Sequence, residues 1–253
     1  GRHLFGKGER MLIESWEWVL AFVAALIVGI SKSGISGLGV LAVVLFAQIM
    51  PAKQATGLVL PLLCIGDIVA VAKYRQHAKW QHLWRLFPWT AAGVLVGYFA
   101  LDRVSERQAR LLIGVIVLSL VTLHLLRRRM AGHETEHGSW FAPTIGVLAG
   151  FTTLVANAAG PLMTVYMLAR RLPKMDFVGT GAVFFLLLNF FKVPFMVHLG
   201  LINQSSFSFN LMLAPIVVAG AFLGQKLVAS IDQRTFENLA LVLSTAAGLK
   251  LLF

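Results

Sequence analysis

Ile30-Ser31-Lys32-Ser33-Gly34-Ile35-Ser36-Gly37-Leu38-Gly39 interrupts an apolar run that extends from about 18 to 48. A second stretch, Phe151-Thr152-Thr153-Leu154-Val155-Ala156-Asn157-Ala158-Ala159-Gly160-Pro161, interrupts another run, from about 141 to 169. Backbone that leaves the helix at bilayer depth is tolerated only where protein or a water-filled cavity covers it. A matched pair of such breaks, one in each half of a chain, points to a transporter's binding site.

The composition around these stretches is that of an integral helical membrane protein. Of 253 residues, 58% are hydrophobic and only 13% charged, and long near-uncharged runs recur. Lys and Arg outnumber Asp and Glu by 22 to 11. The cations sit in short loops between apolar runs, not along one helix face. That distribution fits positive-inside topology in a lipid bilayer and argues against a nucleic-acid partner. Cys64 stands alone, so no intrachain disulfide forms. Segment 18–30 has the length of a signal-peptide core, but membrane character continues past it with no A-x-A-like cleavage site. Gly1 to Arg10, ahead of Met11, reads as an expression scar and is left out of the fold reading.

Apolar segments of spanning length fall at about 55–73, 85–101, 106–126, 177–197, 209–229 and 236–253. With the two broken segments they make eight hydrophobic segments in an all-α fold. The halves repeat. Gly29 aligned with Gly150 brings Ser31 onto Thr152, Ser36 onto Asn157 and Gly39 onto Gly160. One inserted residue then aligns Pro51 with Pro173, Gly57 with Gly179 and Asp67 with Asn189. Further on, Pro88, Gly93 and Gly97 align with Pro215, Gly220 and Gly224. The chain divides into an N-terminal tail (1–17), a first repeat (18–126), a basic linker (127–140) and a second repeat (141–253).

Loop charges set the orientation. Residues 73–85, the linker 127–140 and residues 170–174 are basic and are expected in the cytoplasm. Only segment 141–169 separates the last two loops, so it is expected to enter the membrane and return. Split in two, it gives half-helices about 20 Å long. The same reading of 18–48 leaves three full spans per half, an odd number that inverts the second repeat relative to the first. The alternative is one long kinked helix at each break, with eight crossings and parallel halves.

The breaks carry chemistry suited to a small anion. Ser36 and Asn157 are N-cap types at matched positions, each expected to start a half-helix whose free N–H groups and positive dipole end attract anions. Gly34, Gly37 and Gly160 let a ligand approach the main chain. Ser31, Ser33, Thr152 and Thr153 add hydroxyls. Lys32 lies inside the first break, where a cation is costly and signals function unless it snorkels. Asp67 is mid-span and faces neutral Asn189 in the alignment; it can balance Lys32, carry a proton or hold a structural cation. Lys192, near the end of its span, is expected to snorkel. Tyr166 follows the second break at helical spacing and is a further candidate. The G-x-x-x-G pairs, Gly93/Gly97 and Gly220/Gly224, are read as helix-packing sites, compatible also with a homodimer.

Gly34-Ile-Ser-Gly-Leu-Gly39, Met50-Pro-Ala-Lys-Gln-Ala-Thr-Gly57 and Asp67 resemble the first half of the TauE/SafE sulfite exporter family. Asn157-Ala-Ala-Gly-Pro161, Tyr166, Gly179-Thr-Gly181 and Asn189 resemble its second half. The resemblance covers about Trp18 to Phe253, with one departure within the repeat: Val40 stands where the second half has Pro161. It implies export of sulfite or small organosulfonates across a bacterial inner membrane. An anion leaving down an inside-negative potential gains about 2.3 kcal/mol per charge per 100 mV, so no coupling ion is required. No P-loop is present, and no cofactor, metal or catalytic residue is expected. The rival readings are a passive anion channel and, more remotely, an intramembrane serine protease built on Gly34-Ile35-Ser36-Gly37, which lacks a histidine base in reach.

Overall fold

The computed structural model describes residues 15–33, 38–50, 52–100 and 140–252, with isolated positions between 105 and 125. The described residues are helical, without strands. In order they form α1 (Ser15–Ser31), α2 (Leu38–Ile49), α3 (Ala52–Tyr74), a 3-10 turn (Arg75–His77) and α4 (Trp80–Ala100). Then come α5 (Phe141–Ala156), α6 (Gly160–Ala169), α7 (Lys174–His198), α8 (Gln204–Ser230) and α9 (Gln233–Leu252). The all-α membrane architecture read from the sequence holds. Gln54–His77, Lys174–His198 and Gln204–Ser230 are long and apolar enough to span a bilayer. The tail, most of the expected 106–126 span and the linker up to residue 139 lie outside the described residues.

Both apolar runs are broken where the small and polar residues stand. α1 stops at Ser31 and α2 starts at Leu38; α5 stops at Ala156 and α6 starts at Gly160. The second broken segment folds back on itself. Phe141 opens α5, and Arg170 follows α6, yet the Arg170 guanidinium carbon lies 5.9 Å from the Phe141 ring centre. The Phe141 and Tyr166 rings stack at 5.7 Å. One continuous helix would separate these residues by roughly 40 Å. Segment 141–169 is therefore a hairpin with both ends on one side. In the first half, Leu20 and Ala21 of α1 share an apolar cluster with Phe46 and Ile49 of α2.

Contacts between elements define two ends of the molecule. At one end Trp18 meets Phe209 near the start of α8, and Gly57 near the start of α3 lies against the backbone of Leu201, beyond α7. At the other, Gly179 near the start of α7 lies against Tyr74 and His77, at the close of α3. Lys79 meets Asp176 at 3.0 Å, and its backbone N–H donates to the Thr180 hydroxyl at 2.9 Å. The Lys174 ammonium caps the end of α8 through the Val228 and Ile231 carbonyls. α3 and α7 thus run antiparallel. The basic loops around 75–79 and 170–174 gather at this second end, beside Trp140.

The expected G-x-x-x-G packing forms between the halves. A methyl group on Gly150 would collide with the Thr90 carbonyl, and one on Gly93 with the Val147 carbonyl. A methyl group on Gly29 would collide with Val217, and one on Gly220 with Leu26. These are the same contacts under the sequence alignment, Gly150 with Gly29 and Gly93 with Gly220. Only residues without a side chain let the α4/α5 and α1/α8 backbones approach this closely. Outward-facing apolar side chains such as Phe22, Phe99, Phe190 and Phe222 suit lipid, and exposed Trp16, Trp80, Trp84 and Trp140 sit near the two ends.

Candidate functional site

Four helices deliver charged and amide side chains to one buried centre. Lys32, just beyond α1, places its ammonium 2.8 Å from Asp67 Oδ1 of α3, with both side chains almost wholly buried. The same ammonium lies 5.3 Å from the Phe185 ring centre. Asn189 of α7 donates to Asp67 Oδ2 at 2.6 Å. One turn along the same face of α7, Lys192 is fully buried. Its ammonium donates to the Thr153 carbonyl at 3.2 Å, the Thr153 hydroxyl at 2.9 Å and the Asn157 carboxamide oxygen at 2.6 Å. Asn157 in turn donates to the Thr56 carbonyl at 3.0 Å.

Lys192 corrects the expectation that it snorkels. It lies about six residues, roughly 9 Å, before the end of α7. Side chains on a helix lean toward its N-terminus, so this one points away from the nearer end and into the protein. Its signal was present in the sequence as the Asn189-x-x-Lys192 spacing beside the residue aligned with Asp67. Lys32 does not snorkel either, since Asp67 holds it inside.

Asn157 has a different job from the one expected. It closes α5 in the left-handed region (φ 51°), while α6 starts only at Gly160 after Ala159, which offers no side-chain cap. Asn tolerates this conformation because its short amide bonds locally. The N–H groups of Asn157 and Ala158 bond back to Thr153 and Thr152, closing the helix end. The carboxamide is thereby freed to link Lys192 with Thr56. The N-terminus of α6 opens three residues later, carrying Pro161 in its first turn.

The other expected site residues divide. Ser31 donates back to Val28 at 2.7 Å and Thr152 to Ala149 at 3.2 Å, so both hydroxyl protons are engaged within their own helices. Ser33 is buried against Gly224 of α8. Thr153 joins the Lys192 cluster directly. Gly160 opens α6, and its carbonyl accepts from Thr164 at 3.1 Å. Gly34, Ser36 and Gly37 lie outside the described residues. Tyr166 is buried at the far end of α6, among Phe141, His82 and Arg170.

Chemically, among the described residues the centre holds two lysines and one carboxylate. With both amines protonated it carries one excess positive charge in a low-dielectric interior, which draws an anion. Among the described residues, no cluster of three or more His, Cys, Asp or Glu side chains is arranged to hold a metal ion.

The family model for the sulfite exporter TauE/SafE matches residues 21–251. The chain belongs to the TauE/SafE family. It is accordingly a multi-pass membrane protein of a family of transporters for sulfite and related anions. Neither a curated protein nor a solved structure matches the chain. Membership in TauE/SafE spans both helix breaks, so the buried charges lie inside the matched region.

Proposed function

We propose that this chain is a secondary carrier that exports a small sulfur oxyanion, sulfite or an organosulfonate, from the cytoplasm across a bacterial inner membrane. The observation that carries the reading is the pair of buried lysines, one from each half, of which Lys32 pairs with Asp67 while Lys192 meets only the neutral oxygens of Thr153 and Asn157. Lys192 and Lys32 supply charge, Thr153 and Asn157 supply hydrogen bonds, and the free N–H groups opening α6 add a further attraction for an anion. The carrier has no enzymatic step: the anion is bound, exposed to the other side and released.

An inverted repeat supplies the means of alternating access. Support comes from α3 and α7 running antiparallel, and from the reciprocal close approaches of α1 with α8 and of α5 with α4. Asp67 and Asn189, aligned with each other in the repeat, are also hydrogen-bonded to each other, as residues beside a pseudo-two-fold axis would be. Rocking of one half against the other would then expose the lysines to each side in turn.

Purified protein in liposomes tests the activity. Saturable efflux of sulfite, faster than that of zwitterionic taurine and accelerated by a potential negative on the anion-loaded side, is the expected result. Flux that stays linear in concentration would replace the carrier with a channel. Orientation is tested separately in a Cys64→Ala background. Gln48→Cys should label only from outside intact cells and Arg171→Cys only after permeabilisation. Labelling of both from one side would overturn the inverted arrangement.

A further inference from the structure

The end of α6 carries a second polar cluster that the central site leaves unused. The Arg170 guanidinium carbon lies 5.4 Å from the Tyr166 ring centre and 5.9 Å from that of Phe141. The His82 ring meets Tyr166 edge-on at 6.1 Å. Tyr166 is completely buried, and its hydroxyl has no hydrogen-bond partner among the described residues. The same holds for two more buried atoms, Nε of Arg170 and Nδ1 of His82. Buried polar atoms are nearly always paired, and three unpaired ones in a single cluster call for a common partner.

The chemistry of the three atoms defines that partner. Arg170 Nε and the Tyr166 hydroxyl are donors, and the His82 nitrogen donates in the matching tautomer. The field around them is positive, since His82 lies within electrostatic reach of Arg170, Arg85 and Lys79. Lys79 is itself paired with Asp176, which also lies 3.9 Å from His77. Stacked aromatic faces hold the guanidinium in one plane, which favours oxygen ligands arranged around it. A second cation would be repelled by Arg170, and a neutral apolar ligand would leave the three polar atoms unpaired.

We propose that Tyr166, Arg170 and His82 form an outer binding site for a small oxyanion, at the molecular end that gathers the basic loops. The hairpin sets its relation to the centre. Along α6, Tyr166 lies six residues and Arg170 ten residues past Gly160, about 9 and 15 Å from the break whose Asn157 accepts from Lys192. The outer site receives the anion first, and the central lysines take it over. This sequence of events rests on the export reading and on the basic loops facing the cytoplasm.

Titration of the full chain in lipid nanodiscs with sulfite, and with sulfate as a non-oxidising probe, tests the proposal. The unaltered protein should show two binding events per chain. Arg170→Gln and Tyr166→Phe should each remove one event and raise the KM for sulfite efflux at least fivefold, with kcat within twofold. Tyr166→Phe keeps the ring stack and deletes only the hydroxyl, so it remains informative if the arginine variant misfolds. Lys192→Met should remove the other event and leave the outer one. An unchanged KM with both events retained in Tyr166→Phe, or loss of both events in Lys192→Met, would overturn the outer site. If instead Lys192→Met leaves efflux intact, it is the central site that fails, whatever the outer variants do.

Discussion

Lys192→Met is expected to reduce sulfite efflux at least 100-fold while leaving the protein folded. Methionine has similar length and no charge, so it fills the same space in α7. The local structural loss is limited. The Thr153 carbonyl already accepts from the Asn157 backbone N–H at 2.9 Å, and the Thr153 hydroxyl can turn to another acceptor. Only the Asn157 carboxamide oxygen loses a needed partner, a cost of about 1–3 kcal/mol, partly offset by no longer burying a charge. The functional loss is larger. A buried ionic contact with a ligand is worth about 2–5 kcal/mol when one partner is truncated, and a factor of 100 corresponds to about 2.7 kcal/mol. Lys192→Arg should not restore transport, because a guanidinium brings five donors in a rigid plane to a place that offers three acceptors. The measurement is initial efflux rate in liposomes, alongside thermal melting in detergent. Efflux within threefold of the unaltered protein would remove Lys192 from the site.

Local sequence was informative wherever the physics is local. Small and polar residues cannot continue an apolar membrane helix without cover, so the ends of α1 at Ser31 and of α5 at Ala156 were legible as breaks. Glycines at matched spacing announced close packing, and the alignment paired Asp67 with Asn189, though only the structure shows that the two meet. Loop charges, read as putting 127–140 and 170–174 on one side, led to the expectation of the second hairpin, whose ends meet at Phe141 and Arg170. What escaped was direction. The sequence distance of Lys192 from the end of its span suggests an exit to water, and only the lean of helix side chains and the position of Thr153 reverse it. Asn157 is favoured both at helix starts and in the left-handed conformation at helix ends. Choosing between them requires knowing that Lys192 and the Thr56 carbonyl wait on the inner side. Tyr166 shows the same limit: its spacing after the break fixes a face of α6, but not that Arg170 and Phe141 lie there.

Asp67→Asn should be the most destabilising single change in the centre. The substitution keeps shape and leaves Asn189 a hydrogen-bonding partner, but it removes the one carboxylate facing Lys32. Deleting one member of a buried ion pair costs about 3–5 kcal/mol because the remaining charge is left uncompensated. For a chain of this size that corresponds to a drop of roughly 10 °C in melting temperature. The double variant Lys32→Met/Asp67→Asn removes both charges and should recover most of the loss, since apolar packing often replaces a buried pair without penalty. Transport should stay impaired in both, because the first half then contributes no ordered cation. A ligand makes the argument sharper. In Asp67→Asn the Lys32 ammonium has lost its counter-ion, so an anion can stand in for the missing carboxylate and stabilise the folded state in proportion to its occupancy. Sulfite should therefore raise the melting temperature of Asp67→Asn more than that of the unaltered protein or of the double variant, neither of which has an uncompensated Lys32. If Asp67→Asn melts within about 2 °C of the unaltered protein and sulfite does not move it, then Asp67 is not what holds Lys32 in place.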